Sequence, residues 1–143
     1  MEQLLELLHD KKKKINQIWA ITLQKSEVIQ ALDTDKLEIL LGKRQALMNE
    51  VDETDHQILS VKNALLSTEI DPAKDQSVLL LENDIKDIIK QIIDQDKENK
   101  LKLNQELSVV RKHLKSIKEK KAVLLSYGAK QKQRYGAFID KKK

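Results

Sequence analysis

The chain has 143 residues, of which 40% are hydrophobic and 35% charged, with three Gly, one Pro, no Cys and 3% aromatics. That length fits one domain, that polarity excludes a thick globular core, and the dominance of Leu, Ile, Lys, Glu, Asp and Gln favours long helices. The net charge of +4 is uneven, since residues 1–75 carry 10 Lys/Arg against 14 Asp/Glu while residues 101–143 carry 13 against 3.

The first helix is predicted from Leu4, Leu8, Ile15, Ile18, Thr22, Ile29 and Leu32, whose steps of three, four or seven keep one face apolar. The Lys11 to Lys14 run does not stop it, because a lysine stem can lie along apolar surface with its ammonium in water. Trp19, beside Ile18, reads as a packing residue. Asp33, Thr34 and Asp35 then mark a turn, and Glu38 stands three residues after Asp35 as in a capping box.

A second helix follows on the seam Leu37, Leu40, Leu41, Arg44, Leu47, Met48, Val51, Asp55, Ile58, Lys62 and Leu65, so residues 1–66 form an antiparallel hairpin. Residues 67–77 contain Pro72, which breaks the helix and makes a loop. The third helix is placed at 78–126. Its seam reads Val78, Leu81, Ile85, Ile88 and Ile92, then Leu103, Leu107, Val110, Leu114, Ile117 and Leu124, and residues 94–100, DQDKENK, have no apolar member. The register gains a four-residue step there, a stutter, so a bend or weak point is expected near Asn99.

At about 1.5 Å per residue the first two helices are about 45 Å long and the third up to about 75 Å. The fold class expected is therefore all-α, an elongated antiparallel three-helix bundle or coiled coil with a long, projecting C-terminal helix. Leu107, Val110, Leu114, Ile117 and Leu124 would then lack a partner within the chain, which points to a partner-binding face or to homodimerisation. Residues 127–143 form a basic tail with two YGA repeats and the aromatic anchors Tyr127, Tyr135 and Phe138, next to Ile139.

Several classes find no support. His9, His56 and His113 are far apart without a second His or Cys at ligand spacing, which argues against a metal site. Neither a Walker loop nor GxGxxG occurs, so no cofactor is expected, and no nucleophile motif suggests an enzyme. No apolar run of about 18 residues exists, so neither a signal peptide nor stable membrane insertion is expected, and a cytoplasmic location is the default. The basic last third could meet nucleic acid or an anionic membrane surface, but the aromatic and Gly-rich readers of nucleic acid are missing.

The stretch DTDKLEILLGKRQALMNEVDETD at Asp33 to Asp55, the long third helix and the ending YGAFIDKKK at Tyr135 to Lys143 together resemble the FlgN family of flagellar export chaperones. The resemblance implies a cytoplasmic protein of flagellar type III secretion. Such a protein binds hook-filament junction proteins as cargo through its C-terminal part, prevents premature assembly, and delivers them to the export gate and its ATPase. It also implies a C-terminal tyrosine at the gate, for which Tyr127 and Tyr135 are both candidates. The alternative is a structural coiled-coil protein that homodimerises through the third helix.

Overall fold

The computed structural model describes residues 1–129, with side-chain environments through Tyr127. The described residues contain α1 (Glu2–Ala31), α2 (Thr34–Ser67), a single 3₁₀ turn (Pro72–Lys74) and α3 (Gln76–Ala129), and no strand. The fold is all-α, as the seams predict. The described residues divide into two units, the first Met1–Leu103 and the second beginning at Asn104.

In the first unit, all three helices feed one core. Leu4, Leu8, Ile15 and Ile18 come from α1, Val51 and Ile58 from α2, and Val78, Leu81, Ile85 and Ile92 from α3. Trp19 packs partly buried against this cluster. At about 1.5–3 kcal/mol for each fully buried aliphatic side chain, these ten residues dominate the stability of the unit.

The lysine run behaves as its chemistry requires. The stems of Lys11 and Lys14 are largely covered, and their ammoniums reach Asp55 at 2.7 Å and Asp10 at 2.8 Å. The hydrogen bond to Asp10 is the main cause holding the Lys14 ammonium above its usual pKa, with Glu50 and Glu53 adding to it against partial desolvation.

The helix ends differ from the expected ones. Asp33, not Asp35, caps α2, its carboxylate accepting from the Lys36 amide at 3.1 Å. Leu32 does not continue the first seam. It is exposed, sits just past α1 at φ 51°, and donates its amide to Ile29, while Asp33 donates to Val28. Glu69 repeats the arrangement after α2 at φ 64°, with its amide on Leu66 and that of Ile70 on Leu65. Both ends are Schellman closures with a side-chain-bearing residue where glycine is usual. Past Pro72, the Asp75 carboxylate accepts from the Val78 amide and starts α3 at Gln76, two residues before the expected Val78.

Asn99 is the main correction. Rather than marking a weak point, it lies inside an uninterrupted helix, is 1% exposed, and donates its Nδ2 to the Thr22 carbonyl of α1 at 3.0 Å. Its Oδ1 accepts from Gln95, and the Thr22 hydroxyl donates to the Ile18 carbonyl. Around it, Arg44 forms a two-pronged pair with Asp96 at 2.6 Å per bond, and Lys102 reaches the Ser26 hydroxyl at 2.9 Å. The hydrogen bonds that Arg44 donates to Asp96 are the main cause raising its pKa above the usual value, outweighing desolvation. The apolar gap at residues 94–100 is thus filled by polar side chains with partners, which a buried polar layer needs in order to be tolerated.

Candidate partner-binding face

The second unit contains residues 104–129 of α3, and its apolar residues are arranged very differently. Leu107, Val110, Leu114, Ile117 and Leu124 recur at steps of three, four or seven, so they share one helix face. Each keeps at least a third of its surface exposed; Leu114 is 51% exposed, Ile117 47% and Leu124 70%. Scattered exposed aliphatic side chains are ordinary on a protein surface, but five aligned ones are not.

The helix forms here because Ala, Leu, Lys, Arg, Gln and Glu, all good helix formers, fill most positions. Lys and Arg dominate the rest of its surface, so the apolar row is bordered by cations rather than covered by its own helix.

Of the remaining candidate residues, Tyr127 is 75% exposed and stands on α3, three residues past Leu124. Tyr135, Phe138 and Ile139 lie outside the described residues. Val109 and Val123 are also exposed, but at about 100° per residue they fall off the stripe among Lys112, Ser116 and Lys120. His113 is exposed. Two residues that the apolar reading passes over belong to the face. Lys121 occupies the seam position between Ile117 and Leu124, where only an unbroken count of three-four steps finds it, and Leu125 follows Leu124 at 39% exposure.

The first unit holds a cleft instead. It is about 430 Å³, floored by Leu8, Ile58 and Ile85 and spanned by the ion pairs Lys11–Asp55 and Lys62–Glu82. Beyond those paired ions its charged lining is Lys86 alone. Among the described residues no group of three or more His, Asp or Glu could hold a metal ion, and no helix is long and apolar enough to cross a membrane.

Such a helix face suits association with another helix rather than chemistry on a small molecule. Comparison with curated proteins and with solved structures yields no match. The sequence model of one family, described as FlgN protein, matches residues 1–134. That match takes in the hairpin, the long third helix and the exposed face, and the chain therefore belongs to the FlgN family of flagellar export chaperones.

Proposed function

We propose that this chaperone binds hook-filament junction proteins in the cytoplasm through the face Leu107, Val110, Leu114, Ile117 and Leu124. It masks an amphipathic segment that would otherwise drive their premature assembly, and hands them to the export gate and its ATPase. The observation that carries this reading is the alignment of five exposed aliphatic side chains on one helix face. A cargo helix laid along them would bury apolar positions on both partners.

The magnitudes suit a carrier. Five aliphatic side chains that are already about half covered gain only about half of the usual 1.5–3 kcal/mol each when a partner buries the rest, which puts the gross gain from this side at the lower end of the association cost of about 4–15 kcal/mol. The net affinity is then moderate, so cargo can be released. Delivery is assigned to the tyrosine-bearing end, where Tyr127 is exposed.

The test is co-expression of the full chain with the hook-filament junction proteins of the same organism, followed by size exclusion. The wild-type chain should co-elute with at least one of them. Leu114→Asp with Ile117→Asp should abolish the complex while leaving the helical circular dichroism unchanged. A complex that survives both substitutions would sink the assignment of the face.

A further inference from the structure

The cations bordering the stripe follow a pattern. Counting in heptads, Leu107, Leu114 and Lys121 occupy a positions, and Val110, Ile117 and Leu124 occupy d positions. The strict alternation of three and four is the seam of a helix that pairs with another helix. A helix lying on a lipid surface instead shows a wide apolar face with Trp or Phe, and this row is narrow and has no aromatic member.

The flanking e and g positions normally set which partner such a helix accepts. Arg111, Lys118 and Leu125 occupy e, and Glu106, His113 and Lys120 occupy g, so Glu106 is the one acid among them. Arg111, His113, Lys118, Lys120 and Lys121 are all exposed, and among the described residues none of them forms an ion pair.

We propose that this face is charge-coded for a foreign amphipathic helix with Asp or Glu along both flanks, and against a second copy of itself. The inference rests on the reading above that the face docks a partner helix, and adds what kind of helix that is.

Self-pairing is disfavoured in either direction. In a parallel pair, Lys121 would meet Lys121 of the other copy inside the seam, and among the flanks only Glu106 and Arg111 would attract. In an antiparallel pair the cationic e flanks, Arg111 and Lys118, would line up against each other, and Lys121 would face an aliphatic d residue. An acidic-flanked partner turns the repulsive terms into attractions, with Glu106 the one flank residue that opposes it. Its flanking carboxylates meet Arg111 and Lys118, and a carboxylate in its seam meets Lys121. A single lysine at an a position fixes register in the same way, because only one alignment gives its charge a partner.

The experiment uses the full-length chain and two synthetic helices of about four heptads with the same Leu and Ile seam. One carries Glu at every e and g position and one Glu in the seam; the other carries Lys at all of them. Calorimetry should show the Glu helix binding at least about tenfold tighter at low salt, with the gap narrowing as salt screens the flanks. Sedimentation should show the free chain as a monomer. Arg111→Glu with Lys118→Glu and Lys121→Glu should reverse the preference with unchanged helical signal.

Equal affinity for the two helices, or no reversal in the triple variant, overturns the charge code and leaves the docking face standing. Binding of neither helix overturns the docking reading along with it. Self-association of the chain that is lost in Leu114→Asp with Ile117→Asp also overturns the inference, as does displacement of the Glu helix by polyuridylate.

Discussion

Residues 1–103 and residues 104–129 use the same side chains in opposite ways. In the first, Leu4, Leu8, Ile85 and Ile92 are nearly inaccessible, packed across three helices. In the second, Leu114 and Ile117 stand about half exposed on a helix of similar composition. The difference is not one of periodicity, since both segments repeat apolar residues at three and four. It lies in what meets the face. The first unit supplies two further helices, whereas the second borders its row with cations that suit a partner of opposite charge. A periodic apolar seam therefore identifies a helix face that wants to be covered and leaves open what covers it.

The sharpest way to break that comparison is to delete the same atoms on both sides of it. Leu4→Ala, at a position 0% exposed, should cost about 2–5 kcal/mol in urea unfolding, the usual cost of truncating a closely packed leucine. A cost near zero would mean that the first unit is packed no better than the second.

Next in size is the polar layer. Asn99→Ala removes the donor to the Thr22 carbonyl and strands the Gln95 amide, and should cost about 1–3 kcal/mol. Asn99→Leu fills the site with apolar volume instead and should cost much less or even stabilise. Equal losses from both substitutions would show that the hydrogen bonds, which both remove, and not the volume at this position, are what matters.

This layer also marks the limit of what the sequence discloses. The three helices, the turn at Asp33 and the break at Pro72 follow from spacing and from residues with strong local preferences. The stretch DQDKENK reads as a weak point because a count of apolar residues has no way to see that Asn99 and Asp96 find Thr22 and Arg44 far away in the chain. The turn register is hidden for a related reason. Leu32 and Glu69 take left-handed conformations without the glycine that would announce them. At the candidate face the apolar row is readable from spacing, but Lys121 is hidden, because a lysine in a seam is invisible to any search for apolar residues.

A smaller effect tests the corrected turn. If Asp33 caps α2, Asp33→Ala should cost about 1 kcal/mol, and Asp35→Ala at most a few tenths. Thermal melts of the two variants side by side decide the register, since a larger loss from Asp35→Ala would restore the cap to the position that the capping-box pattern suggests.

The smallest expected effect on stability separates the two regions most cleanly. Leu114→Ala removes about the same number of atoms as Leu4→Ala, but from a side chain 51% exposed. Half of that surface already meets water in the folded chain, and alanine is the better helix former, so the free protein should change by no more than about 0.5 kcal/mol. In complex with a partner helix the same side chain sits at the centre of the row, between Val110 and Ile117, where truncation commonly costs over about 1 kcal/mol. The variant should therefore melt like the wild type and bind its partner at least about fivefold more weakly. If Leu114→Ala instead destabilises the free chain by as much as Leu4→Ala does, Leu114 is covered in solution by something belonging to the chain itself, and the two halves of α3 do not differ in the way their exposures indicate.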